Sequence, residues 1–166
     1  MEAEYRGMRL IVPDNDTEFT GYFAAARRHE LVVKRCGACG RLRFPPGAAC
    51  PWCRSLDWTW QRVSGRGTIH SYEVVHQAIQ PGFRDYAPYV VLLVELDEQA
   101  GEPTPDEALR LLGNLVTADL RPEAEENVAI GKRVEVTFQD LSAELALPQW
   151  RLSGEPSRGR VWRLPV

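Results

Sequence analysis

The four cysteines of this chain fall as two close pairs, Cys36/Cys39 and Cys50/Cys53, each enclosing two residues and separated from the other by ten. No other feature constrains the fold as strongly. Two tight turns facing one another present four thiolates to a tetrahedral zinc ion, whose sulfur ligands lie at about 2.3 Å. The first turn, CGACGR, carries Gly37 and Gly40 directly after its cysteines, where a left-handed φ lets backbone N–H groups point at sulfur. Four protein ligands leave no open coordination position, so the expected zinc is structural. Arg35, Arg41, Arg43 and Arg54 flank the ligands and offset the surplus charge of four thiolates on one dication.

The competing cysteine chemistries fit less well. A redox CxxC of the thioredoxin kind accompanies a βαβ unit, and no such pattern is present. A disulfide framework suits small secreted domains, but the N-terminus, MEAEYRGMRL, is charged and has no apolar export segment,. Reduced thiols and a cytoplasmic location are the expectation. No apolar run approaches the roughly 18 residues of a membrane span. The net charge of −3 is unevenly spread, residues 27–66 carrying nine basic and two acidic side chains. Such a stretch attracts nucleic-acid phosphates, acidic protein surfaces or the phosphates of a nucleotide cofactor, or simply balances the thiolates.

Periodicity divides the chain into an N-terminal helical segment (1–30), a ribbon (31–63) and a barrel with a tail (64–166). Over residues 14–30, Asp14, Asp16 or Thr17 offers a helix start, and Phe19, Tyr22, Phe23 and Ala26 share one face, with Gly21 as a weak point,. The ribbon alternates strand and knuckle. Trp58 and Trp60 lie on one side of its last strand,, where they would cover the ribbon core. Beyond Gly67, strands are expected at Thr68–His76, Tyr89–Asp97, Arg110–Thr117 and Lys132–Phe138, with Gln149–Leu152 or Val161–Leu164 as the fifth,. The near-continuous apolar run Tyr89–Asp97 predicts a central strand covered on both faces. Five short strands suit a closed Greek-key barrel. The expected class is therefore mainly β, a short helical segment leading into a rubredoxin-like zinc ribbon and a five-stranded OB-fold barrel.

In this order the motifs PDNDT (13–17), RRHELVVKRC (27–36), CGRLRFPP (39–46), CPWC (50–53), VSGRGTIHSYEVVH (63–76), PYVVLLVELD (88–97), LLGNLV (111–116), IGKRVEV (130–136) and LPQW (147–150) resemble the zinc-ribbon/OB-fold family known as domain of unknown function thirty-five. The likeness runs from about Pro13 to Pro148 and departs at Arg54, where the family commonly has glycine. It implies an accessory role in acyl-CoA metabolism beside a thiolase-fold partner, either a thiolase or an aldolase. In the steroid side-chain retro-aldolases the partner supplies catalysis and a chain like this one is required for activity. Subunits of thiolase or hydratase complexes are the related arrangements. The sequence is compatible with a free-standing chain or with a piece of a fusion to a hydratase-like domain.

The residue chemistry points the same way. Zinc claims every thiol, and His29, His70 and His76 belong to no recognisable nucleophile, base and orienter set. His70 and His76 are expected on one strand face with Tyr72 and Val74. Arg41, Arg43 and Arg66 are candidates for CoA phosphates. Phe19, Tyr22 and Phe23 on the helix, and Phe83, Arg84 and Tyr86 in the loop Gln77–Pro88, have the composition of interface anchors. The main rival is a nucleic-acid module, since basic grooves with stacking aromatics bind single strands; the acidic barrel half weighs against it.

Overall fold

The computed structural model of the protein describes residues 1–12 and 18–163; Asp14, Asp16 and Thr17 lie outside them. The chain opens with a hairpin that the sequence reading did not anticipate, β1 (Glu2–Tyr5) antiparallel to β2 (Met8–Ile11). Its turn, Arg6–Gly7, has φ of 54° and 72°, the left-handed pair whose twist suits a two-residue hairpin loop. Helix α1 (Thr20–Ala26) is shorter than the periodicity predicts. The N–H groups of Arg28 and His29 bond to carbonyls three residues back, and His29 turns to φ 56°, which ends the helix.

The ribbon is a three-stranded antiparallel sheet of β3 (Val32–Cys36), β4 (Leu42–Arg43) and β5 (Trp58–Arg62), with β3 in the middle. Gly21 of α1 lies against it: a β-carbon there would stand 2.1 Å from the Trp60 indole nitrogen. The residue that weakened the helix prediction is the one that lets the helix approach this ring. Trp58 and Trp60 meet edge to face at 5.4 Å, and the fully buried Lys34 ammonium lies 3.7 Å from the Trp58 ring centre while pairing with Glu18 at 2.6 Å.

Strands β6 (Arg66–Val75), β7 (Tyr89–Leu96), β8 (Arg110–Leu115), β9 (Arg133–Asp140) and β10 (Ala146–Leu152) close a barrel in the order β10-β8-β7-β6-β9. Every pairing is antiparallel except β8 with β10, which meet in parallel at Leu115 and Trp150. This is OB-fold connectivity. Of the alternative fifth strands, β10 completes the barrel; Trp162 makes only an isolated bridge to Ile130.

Two strand readings need correction. The β6–β7 register jumps from Ile69↔Val94 to Ser71↔Leu93, leaving His70 as an unpaired bulge residue. One extra residue reverses the side-chain phase, so Tyr72 and Val74 pack inward with Ile69 while His70 is exposed. His70 therefore does not share their face. Strand β7 is covered on one side only. Val90, Leu92, Val94 and Leu96 are buried, but Val91 and Leu93 are half-buried, and Leu112, opposite Leu93 on β8, is 69 % exposed.

Ribbon and barrel share one apolar cluster, with Leu31, Val33 and Leu42 in continuous contact through to Ile69, Leu92 and Trp150. Gln99 fastens the seam: its buried carboxamide donates to Leu42 O at 2.9 Å and accepts from Leu42 N at 2.8 Å. Replacing it with leucine orphans two buried backbone groups at about 1–3 kcal/mol each. Gln99→Leu should therefore lower stability by roughly 2–6 kcal/mol in urea titrations, with no loss of bound metal at neutral pH.

At the barrel end, Arg133 is 2 % exposed and donates to Asp97 at 2.5 and 2.7 Å, to Thr68 at 2.8 Å and to Glu155 at 3.3 Å. The Arg133 hydrogen bonds hold the Asp97 carboxyl below its ordinary 3.8, against the opposing effect of burial. A lowered folded value means that the pair stabilises fully above the unfolded pKa and is lost as pH falls through the folded one. Asp97→Asn should cost about 3 kcal/mol at pH 7 and flatten the acid limb of the stability curve below pH 3.8. Chemical denaturation across pH 2.5–7, roughly the carboxylate range, measures both.

Candidate metal centre and surrounding surfaces

The two knuckles repeat one backbone design. Cys36 N bonds to Arg41 O and Gly40 N to Cys36 O; in the second turn Cys50 N bonds to Ser55 O and Arg54 N to Cys50 O. Gly40 takes φ 73° and its counterpart Arg54 takes φ 63°. The arginine at the family's glycine position thus adopts the left-handed conformation at a cost of about 1–2 kcal/mol, with every ligand still in place.

The four sulfur atoms lie within 4.8 Å of one another, with Cys36–Cys53 at 3.5 Å and Cys39–Cys50 at 3.6 Å. A tetrahedron of sulfurs about 2.3 Å from zinc has edges of about 3.8 Å; a disulfide requires about 2.05 Å. The set fits the metal and not a bridge. The Cys39 N–H, 3.5 Å from Cys36 Sγ, pulls that thiol down to about 6. Cys53 has the Ser55 N–H in its favour, yet its neighbour Cys36 holds it up at about 11. A dication is what allows all four to ionise together. Cys36 and Cys50 are buried, Cys39 and Cys53 exposed.

The candidate anion-binding arginines are not equivalent. Arg41 is half-exposed with its guanidinium 5.4 Å from the Trp52 ring centre. Arg66 is exposed and pairs with Glu155 at 3.4 Å. Arg43, by contrast, is 4 % exposed, out of reach of a hydrated phosphate.

The aromatic candidates form two clusters. Phe19 meets Tyr22, Phe23 and Phe44 at ring distances of 6.3 Å, and Tyr22 meets Phe44 at 5.3 Å. Tyr22 is buried there and bolts α1 to the ribbon; Phe19 and Phe23 keep partial exposure. Phe83 and Tyr86, within the 3₁₀ turn Pro81–Tyr86, pack with Tyr5 and Tyr89, and the Arg6 guanidinium stacks 3.1 Å from the Tyr86 ring centre. The unanticipated hairpin is what holds this turn. Its alternating runs on either side of Arg6–Gly7 were the signal that could have revealed it. Arg84 stays exposed beside Ile79, which is 91 % exposed, on the rim of a surface cleft with His76.

The histidines are dispersed. His29 stacks on Phe138 at 5.2 Å and bonds to Asp140 at 2.8 Å, His76 lies 3.4 Å from Glu125, and His70 sits in its bulge. Among the described residues no helix is long and apolar enough to cross a membrane.

Comparison with known proteins agrees with this architecture. Residues 23–59 match the family model described as ChsH2, rubredoxin-like zinc ribbon domain, and residues 60–139 match ChsH2, C-terminal OB-fold domain. A probable enoyl-CoA hydratase alpha subunit of Thermomonospora curvata is 39% identical over 78% of this chain, and a 3-oxo-4,17-pregnadiene-20-carboxyl-CoA hydratase alpha subunit of Mycobacterium tuberculosis is 33% identical over 86%. The chain spans only 36% and 39% of those two proteins. A DUF35 domain-containing scaffold protein of Methanocaldococcus jannaschii is 35% identical over 70% of this chain and 73% of its own length. Among solved structures, a chain of the Ltp2-ChsH2(DUF35) aldolase superposes with a TM-score of 0.69 at 37% identity, covering 86% of this chain and 99% of that one. With its zinc ribbon, its OB-fold barrel and these relatives, the chain belongs to the DUF35 family.

Proposed function

We propose that this chain is a non-catalytic accessory subunit of a heteromeric acyl-CoA-processing complex, with a thiolase-fold partner supplying the chemistry. The observation that carries the reading is its near-complete overlap with a chain of the Ltp2-ChsH2(DUF35) aldolase. The favoured reaction is retro-aldol cleavage of a steroid side-chain CoA thioester. Such cleavage needs a base for the β-hydroxyl proton and an oxyanion site for the thioester enolate. The dispersed histidines and the converging thiols of this chain are suited to neither. Its contribution is shape at the acyl-CoA entrance, with Arg41 and Arg66 as the contacts for CoA phosphates. Zinc held by Cys36, Cys39, Cys50 and Cys53 would supply folding energy, not Lewis-acid chemistry. The hydratase names among the relatives favour membership of a hydratase complex as the second reading; the substrate turned over separates the two.

Co-expression with a thiolase-fold candidate should give a co-eluting complex that cleaves the β-hydroxyacyl-CoA thioester, while neither purified chain does so alone. Turnover by the isolated chain would defeat the proposal, and a salt-sensitive shift of oligonucleotide in place of partner binding would favour the nucleic-acid alternative. Ile79→Asp and Arg84→Glu alter exposed side chains of the Gln77–Pro88 loop and should each weaken the complex roughly tenfold. Unchanged affinity would remove that loop from the interface.

Elemental analysis should find one zinc ion per chain, and Cys39→Ser should lower that content and unfold the ribbon. Metal binding in such modules contributes about 10–16 kcal/mol, effectively their folding free energy. A metal-free protein with its full thermal midpoint would overturn the structural role.

A further inference from the structure

A cavity of about 350 Å³ lies where the ribbon meets the loop leading into β8, walled by Phe44, Pro45, Pro51, Trp52 and Leu109. Its lining is mostly apolar, and among the described residues the one cation on its wall is Arg43. That guanidinium is unusual in this molecule. It is 4 % exposed, it has no carboxylate partner among the described residues, and its Nε and Nη1 meet no acceptor. Only Nη2 is engaged, with the carbonyls of Gly47 and Ala48 at 3.3 and 3.4 Å. The neighbouring buried cation, Lys34, shares the Gly47 carbonyl but has Glu18 at 2.6 Å. Glu107, on the cavity rim, is exposed and held by the Trp52 indole N–H at 3.2 Å and the Thr104 hydroxyl at 3.0 Å. Among the described residues, then, no carboxylate pairs with the positive charge on the cavity wall.

Burying an unpaired charge is costly, and such groups are ordinarily paired or neutralised. We propose that this cavity is a binding site for a compact apolar carboxylate, whose anionic group compensates Arg43 and whose body lies against Phe44, Trp52 and Leu109. At a water's share of about 30 Å³ per heavy atom the space holds about a dozen such atoms. A monoanion with a hydrocarbon or aromatic body matches one cation in an apolar wall, whereas a phosphate dianion would carry its strong hydration into it. Neither Arg41 nor Arg66 lines the cavity, although Arg41 reaches the Trp52 ring at 5.4 Å; binding is measured on this chain without a partner, so its failure leaves the accessory role untouched.

Phenylacetate, a carboxylate of suitable size, and phenylacetamide, its neutral isostere, test the inference by calorimetry and amide chemical-shift mapping on the zinc-loaded chain. Phenylacetate should bind with a dissociation constant on the order of 1 mM, shifting residues 42–52 and 107–109, and the amide should bind at least about tenfold more weakly. Arg43→Met should abolish that discrimination while raising the thermal midpoint of the ligand-free chain, because it removes the uncompensated charge. Ala49→Leu fills the cavity wall without touching Arg43 and should block phenylacetate even if Arg43→Met folds poorly. Equal affinity for acid and amide, absence of phenylacetate binding, or binding undiminished in Ala49→Leu would each overturn the site.

Discussion

The Gln99 carboxamide stands in for a neighbouring strand. Strand β4 is two residues long, and Leu42 would leave a backbone donor and acceptor unmet at the seam between ribbon and barrel. Gln99 meets both. Because an unmet buried group costs more than a met one stabilises, this pairing specifies where β4 can sit. The positions of Arg43 and Phe44 follow. Phe44 reaches Tyr22 and Phe19, so the helix is registered on the ribbon by the residue that lies two places beyond the seam. Helix, ribbon and barrel are joined through a short stretch of chain, and the cavity beside Arg43 is the space that this junction leaves.

The legible parts of this fold were those set by local spacing. Cysteine pairs at fixed intervals define a metal cluster without knowledge of the rest of the chain, and the alternating runs of β6 to β9 place strands within a few residues of their observed bounds. What escaped was set by distant contacts. Gln99 and Leu42 are 57 positions apart, and nothing in Asp97–Gln99 announces a seam. The bulge at His70 inserts a single residue and reverses a face, a change that period-two reasoning has no means to detect. Gly21 looked like a defect because helix propensity is local, whereas the Trp60 ring it accommodates comes from another element. The apolar run of β7 suggested burial on both sides; the described chain covers only one, so its composition records more burial than the chain alone provides.

Two nearly invisible arginines show how similar burial can carry different meanings. Arg133 and Arg43 are each almost wholly withdrawn from solvent. Arg133 is met by two carboxylates and a hydroxyl, with the lowered Asp97 as its principal counter-charge. Its network ties the barrel floor to the segment after β10, and the charges cancel inside the chain. Among the described residues, Arg43 has carbonyls on one nitrogen and no acceptor on the other two. If packing alone had shaped that position, a methionine would fill the same space without the desolvation cost, which for buried charges commonly exceeds the Coulombic return even when they are paired. A compensated arginine can be explained by the structure that surrounds it. An uncompensated one beside an apolar cavity calls for an anion from outside the chain, and that asymmetry, more than the size of the cavity, singles out the Arg43 pocket as a site.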